Sequence, residues 1–391
     1  MSEGVETMEG TETAEAAVAQ PRRLASIDAL RGFDMFFITG GSALISGLCI
    51  ALGSPKCWLA TQMNHVAWEG FAHHDTIFPL FLFLAGVSWP FSLASQRDRG
   101  RAAWRIQLKI LARVAVLFLI GLSFGGILKF KPEFRLMSVL GFIGIGWGIA
   151  ATLSLYIRRS WQLFAIAVLT LAGYYYMLRY CPAPGTPAGA DSYSQAWNYP
   201  AYLDRQAWPT HLYYKGRFDP ESFFAFPGGA ALAILGVLAG RLLKRQDGPS
   251  PWLRPLILAA GALAAFLAAF AMERYLGDQC IKKLWTPSFV LYAATYSLAM
   301  LSVFYFVVDV LKLRRWAVVF DPVGKNSILA YVLGMIGVTG TIQRFLFPGL
   351  CDWVVEKYGK EWRTAVVGLT TYLVVWGITF FFKRKKVFLK V

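Results

Sequence analysis

The sequence predicts an all-α polytopic membrane protein, with about ten transmembrane helices and both termini cytoplasmic. Three observations carry this. The chain is 56% hydrophobic and only 16% charged, whereas soluble domains spend about a quarter of their residues on charge. Its apolar residues come in runs of about 20, the length that spans a hydrocarbon core. Its basic residues sit in short clusters between those runs. Inside lipid a backbone must satisfy its own hydrogen bonds, so such runs are helices. The net charge of +16 shows no contiguous basic face. That excludes a nucleic-acid partner and leaves the lipid bilayer.

The first 20 residues hold five Glu and no Lys or Arg. With no positive n-region and no apolar core they do not read as a signal peptide. Residues 1–21 are expected to be a disordered cytoplasmic tail. The apolar runs cover roughly 27–50, 75–95, 112–128, 137–157, 161–178, 223–243, 255–272, 286–310, 318–338 and 363–382. Together they make one transmembrane domain, 22–383, followed by a basic tail, 384–391. An even number of spans puts both termini on one side. That side carries 23 basic residues in short segments, among them the cluster 97–113; the other carries 14 in longer loops. Positive charge concentrates in cytoplasmic loops, so the longer loops 51–74, 179–222 and 339–362 face outward. All four histidines (His65, His73, His74 and His211) fall on that outer side. Cys49, Cys57, Cys181, Cys280 and Cys351 lie there too. Spacing gives no pairing among these five thiols.

Ionisable groups within spans default to functional hypotheses. Asp28, Arg31 and Asp34 are three apart and share a helical face. They read either as an interfacial ion cluster or as an Arg that meets an anionic ligand at the cytoplasmic mouth. Asp321 and Lys325 are four apart and suit mutual neutralisation, while Asn326, if buried, needs partners. Lys325 and Asn326 also suit phosphate or amide contacts. The third group runs from Asn64 through His65, Trp68, Glu69 and Gly70 to His73, His74 and Asp75. A His beside a carboxylate can act as a general base; the alternative is an aromatic interfacial belt with incidental histidines. Adjacent His73 and His74 would point about 100° apart on a helix, and no Cys-x-x-Cys or His-x-x-x-His spacing occurs. No metal is expected.

At these residues the chain resembles the heparan-α-glucosaminide N-acetyltransferase family. Arg23, Ser26, Asp28, Arg31 and Gly32 match its opening motif. His65, Trp68 and Gly70, then Asp75, Phe78 and Pro79, resemble its catalytic loop and the helix that follows. Further blocks are Phe218-Asp219-Pro220-Glu221 followed by Leu235-Gly236-Val237 as one, then Leu284-Trp285-Thr286, and finally Gly324-x-Asn326-Ser327. Five blocks stand in the family's order, and the chain looks like the shorter bacterial NagX-type members.

The resemblance implies transfer of an acetyl group from cytosolic acetyl-CoA to the amine of a glucosamine-type sugar on the periplasmic side of a bacterial inner membrane. It places the catalytic His and Asp on His65 and Asp75, and it implies a homodimer. Ser26, Asp28, Arg31, Lys325 and Asn326 are the expected acetyl-CoA contacts. Trp68, Glu69, His211, Asp219 and Glu221 are the expected sugar contacts. The family's Asn late in the first span has no clear counterpart in Thr39-Gly40-Gly41-Ser42. The rival reading is an amino-sugar transporter, which should show internal pseudo-symmetry. A third keeps the chemistry and changes the acceptor to a lipid or polysaccharide.

Overall fold

Apolar runs become helices in the order the hydropathy dictates. The structure, a computed structural model, describes residues 24–130, 133–214, 216–245 and 247–389. The expected acidic tail, 1–21, lies outside the described residues. The spanning helices are α1 (Ala25–Ala51), α2 (His73–Asp98), α3 (Ala103–Phe124), α4 (Val139–Tyr156), α5 (Ser160–Tyr180), α6 (Phe223–Lys244), α7 (Leu253–Leu276) and α8 (Pro287–Val310). Next comes a broken pair, α9, made of Ser327–Met335 and Val338–Leu346 and bent by 77°, and then α10 (Lys360–Arg384). The described residues thus hold nine candidate spans, or ten with the bent pair.

Two expected boundaries need correction. The ninth span, expected at 318–338, is not one rod. A short helix, Asp321–Lys325, ends at Asn326 with φ −124° and ψ 36°, and Gly337, at φ 77°, breaks the chain again. Pro322 and Gly324 weaken helix continuity here. The third span starts at Ala103 rather than 112. Arg105, Lys109 and Arg113 lie four apart on it, so they share one stripe of the helix. Lys109 and Arg113 line a cavity together with Trp147 of α4. A hydropathy count stops at those charges; the helix does not.

Burial sorts the bundle into inner and outer helices. In α2, α4 and α6 the apolar window is 67% buried; in α3 and α7 it is 22%. Leu80, Phe83, Phe142, Leu232 and Phe289 belong to one continuous core. Leu111 and Leu119 on α3, and Leu263 and Phe270 on α7, are exposed; in a bilayer they face acyl chains. Lipid is as apolar as Leu, so helix association rests on close packing and small residues. A Cβ at Gly236 of α6 would stand 2.3 Å from the Phe83 carbonyl oxygen of α2. Helix α2 therefore runs through the middle of the bundle. His73–Asp75 mark one end of it and Arg97 and Arg99 the other.

Candidate active site

The site at the His65 end is assembled around the first turn of α2. That helix starts after an extended residue, Ala72 (φ −123°, ψ 157°), which puts Asp75 in its first turn, where the helix dipole favours an anion. Asp75 is 1% exposed. Its Oδ1 lies 2.7 Å from His65 Nδ1 and accepts from Lys282 Nζ at 3.1 Å. Its Oδ2 accepts from the Val66 N–H at 3.1 Å. A buried carboxylate needs such partners, and here they set the tautomer. With Nδ1–H donated to Asp75, the lone pair of His65 sits on Nε2. The His65 side chain is 57% exposed, so the ring is accessible.

A second histidine stands beside it. The rings of His65 and His74 are 4.4 Å apart, centroid to centroid, and His74 Nδ1 lies 3.1 Å from Ser42 Oγ. Ser42 reaches this point because α1 widens into a π-helical turn over Phe37–Gly41. Gly40, at φ 144°, takes a conformation that side chains rarely adopt, and a Cβ there would stand 2.2 Å from the Gly368 carbonyl of α10. Deeper in, His73 Nε2 lies 2.9 Å from Tyr296 Oη of α8.

The loop between α7 and α8 closes the site from the other side. Its Asp278 accepts from Tyr193 Oη at 2.7 Å and from the Ser288 N–H at 2.7 Å. Thr286 Oγ1 accepts from the Ile281 N–H at 3.0 Å. The loop is stitched to the His65 loop by the Gly70 N–H to the Cys280 carbonyl, 2.8 Å, and by Lys283 Nζ to the Ala67 carbonyl, 2.7 Å. Trp68 donates Nε1 to the Tyr193 carbonyl at 3.1 Å and packs edge-on against Phe218, which makes it a wall. Glu69 is exposed on the same loop.

The Phe218–Glu221 block forms a separate ionic cluster. Arg135 donates Nε to Asp219 Oδ2 at 2.9 Å and Nη2 to Asp219 Oδ1 at 2.6 Å, and it also pairs with Glu221. Asp219 further accepts from the Tyr213 and Glu221 N–H groups at 3.0 and 2.9 Å. Burial alone would lower the Arg135 pKa; the two carboxylates override it and hold it raised. Asp219, with four bonds, organises the loop rather than presenting an open face. Glu221 lies within charge–charge range of Lys282, so the cluster flanks the His65 site. His211 Nδ1 lies 2.9 Å from the Phe134 carbonyl oxygen, which ties its loop to the segment that carries Arg135.

The expected acetyl-CoA contacts gather at the other end. The Ala25 and Ser26 N–H groups, at the start of α1, donate to Asp309 at 3.3 and 3.1 Å. Arg31 Nη1 lies 3.8 Å from Asp28, and Nη2 donates to the Leu84 carbonyl at 3.3 Å and to Ser88 Oγ at 2.5 Å. Gly32 and Gly324 bring α1 and the Asp321–Lys325 helix into backbone contact, joining the two motifs in space. Lys325 pairs with Asp321 at 2.8 Å, and Lys383 shares that carboxylate. Asn326, 1% exposed, accepts from the Leu389 N–H at 3.2 Å and leaves Nδ2 without a partner. Beside α2, a cavity of about 480 Å³ is lined by Ser92, Ser95, Arg99, Arg101, Lys109 and Arg113. The Arg113 guanidinium stacks on Trp147 at 4.2 Å, and its buried Nε has no hydrogen-bond partner. A larger cavity, about 2130 Å³, opens at the same end among Arg97, Arg158, Arg241, Arg254 and Lys312. There Arg97, Arg241 and Arg254 cap helix-end carbonyls.

Lys282, Arg135 and the Ser42–His74 pair are members of these sites that the sequence reading did not single out. Among the described residues no group of three or more His, Cys, Asp or Glu is arranged to hold a metal ion.

No family model matches the chain. It is similar to the human heparan-α-glucosaminide N-acetyltransferase, at 26% identity over 431 aligned positions, which cover 95% of this chain and 60% of the human protein. It is similar to the mouse protein of the same name, at 25% identity, covering 79% of this chain and 54% of that protein. The chain thus spans little more than half the length of these curated relatives.

Proposed function

We propose that this member of the heparan-α-glucosaminide N-acetyltransferase family carries an acetyl group across the membrane plane, from acetyl-CoA to the amine of a glucosamine-type sugar. The basic end of the bundle is the cytoplasmic mouth, in keeping with the positive-inside rule. The His65 end faces the periplasm of a bacterial inner membrane. One observation carries the reading: an accessible imidazole locked by a buried carboxylate at one end of α2, with an anion-seeking cavity at the other.

Arg99, Arg101, Lys109 and Arg113 suit the phosphates of the coenzyme, because charge-assisted hydrogen bonds to phosphate are the strong ones. Arg31 lies between that cavity and His65. Its partner Ser88 is 14 residues along α2 from His74, roughly 21 Å at 1.5 Å per residue. That is the stretch an extended pantetheine arm must bridge.

A thioester is already activated towards amines, so the protein supplies proximity and proton removal. The sugar ammonium loses one proton before attack. The free amine then attacks the carbonyl carbon, His65 Nε2 takes the second N–H proton, and the C–S bond breaks. CoA leaves as thiolate and is protonated by the imidazolium. Asp75 stabilises that imidazolium and never needs to ionise further. Trp68 and Glu69 border the acceptor side, and the Arg135–Asp219–Glu221 cluster shapes its rim. A homodimer is part of this proposal through the family.

Sealed proteoliposomes test it. Acetyl-CoA inside and glucosamine outside should yield N-acetylglucosamine outside and CoA inside. Uptake of unmodified sugar with no CoA formed would replace this reading with the transporter. The His65 and Lys282 loops occur once each in the chain, which does not favour the inverted repeats common among transporters.

A further inference from the structure

We infer that Lys282 is a positioning residue of the acetyl-transfer site, holding His65 in its neutral, acceptor-ready form by sharing the Asp75 carboxylate with it. The inference rests on the acetyltransferase reading for its purpose, but its geometry stands on its own. Lys282 Nζ lies 3.1 Å from Asp75 Oδ1 and 3.2 Å from His65 Nδ1. It therefore sits on the Nδ1 edge of the ring, opposite the Nε2 edge where substrates meet. It does not touch the reacting atoms.

Its effect is electrostatic. A carboxylate beside a histidine favours the imidazolium; a cation beside both disfavours it. Without a cation beside it, a carboxylate at Nδ1 works against the Nε2 lone pair that the reaction needs. Lys282 offsets that pull while leaving the Asp75–Nδ1 hydrogen bond, and so the tautomer, in place. The arrangement is built rather than incidental. The Lys282 loop is fixed by Asp278 and Thr286 and bonded twice to the His65 loop, through Gly70–Cys280 and Lys283–Ala67.

The charged and titratable groups around His65 are few. Asp75 and His74 come from α2, Lys282 and Lys283 from the facing loop, Glu221 from the loop before α6, and Glu69 from its own loop. Lys282 is the cation in direct contact with His65.

Two readouts test this, one of them independent of activity. Diethyl pyrocarbonate modifies only neutral imidazole, so the pH at which His65 becomes reactive, followed by mass spectrometry, reports its charge directly. Lys282→Met should move the onset of His65 modification to higher pH, and Lys282→Arg should leave it near wild type. In the CoA-release assay Lys282→Met should shift the acid limb of kcat/KM the same way, with Arg restoring most of the wild-type profile. Unchanged His65 reactivity in Lys282→Met, in protein that keeps its wild-type melting temperature, would overturn the inference even if the enzyme is active. If wild type releases no CoA while the modification still shifts, the acetyltransferase reading fails and the electrostatic role of Lys282 stands.

Discussion

Asp75→Asn is the perturbation that weighs most on the proposed chemistry. The carboxylate is 1% exposed and bound by His65, Lys282 and the Val66 N–H. Two of these partners are or become cations, and a hydrogen bond to a charged group contributes about 1.5–3 kcal/mol. An amide keeps the shape and loses the charge. It can also present its NH2 to Nδ1, which would put the lone pair on the wrong nitrogen. Losing both charged bonds in the transition state corresponds to roughly 3–6 kcal/mol, or 10²–10⁴ in kcat at about 1.4 kcal/mol per tenfold. That is also the usual range for general-base assistance. The assay is CoA-thiol release at saturating acetyl-CoA and glucosamine, with KM for acetyl-CoA measured alongside. The expected result is a kcat fall of at least a hundredfold with KM changed little, since the cavity proposed for the nucleotide is at the other end of α2. A kcat within threefold of wild type, in folded protein, would mean that the Asp75 charge does not support the chemistry.

Three further outcomes follow from other parts of the molecule. Replacing Lys109 and Arg113 with Met should raise the acetyl-CoA KM about 10–100-fold at roughly 1.5 kcal/mol or less per lost contact. The KM for acetyl-pantetheine, which lacks the nucleotide, should stay put; equal losses for both would remove the cavity from the coenzyme path. Asp204, in the outer loop helix Tyr199–Ala207, is pushed up to about 7 by burial, against the opposing Ser222 hydroxyl. An acid whose folded pKa is raised above 3.8 contributes stability that is lost as pH climbs from about 4 to 7, here roughly 4 kcal/mol at 1.36 kcal/mol per pH unit. The melting temperature should fall from pH 5 to pH 8 in wild type and stay nearly level in Asp204→Asn; parallel curves would exclude Asp204 as the source. Cys57 holds the N-cap position of a short helix, Trp58–Gln62, where the nearby Ala60 N–H lowers its thiol pKa. In intact cells, a variant retaining only this cysteine should react with a membrane-impermeant maleimide. Labelling only after lysis would invert the proposed topology.

Much of the architecture was legible because a bilayer leaves few options. Runs of about 20 apolar residues can only be helices, and eight of the expected spans recur as helices within several residues. The two misreadings have different causes. Helix α3 begins early because Arg105, Lys109 and Arg113 sit within its first turns, and a linear hydropathy window cannot distinguish a charge carried on a helix stripe from a loop charge. The ninth span broke at Asn326 and Gly337, where backbone conformation overrides apolar content. At the site, His65 and Asp75 are ten residues apart and their motif was visible. Lys282 is 207 residues from Asp75, and in sequence it was one more outer-loop cation. Arg135 gave no signal either, although it consumes Asp219, which the sequence had offered to the sugar. Ser42 reaches His74 only through the π-turn at Gly40, a geometry that no periodicity announces.

The most direct measurement is glucosamine-dependent CoA release by purified protein in detergent, wild type beside His65→Ala. Wild type should release CoA with a stoichiometric yield of N-acetylglucosamine, and His65→Ala should lose at least a thousandfold at an unchanged acetyl-CoA affinity. Release that persists in His65→Ala would contradict the assignment of the chemistry to this histidine, and absence of release from wild type with any amino-sugar acceptor would contradict the enzyme itself.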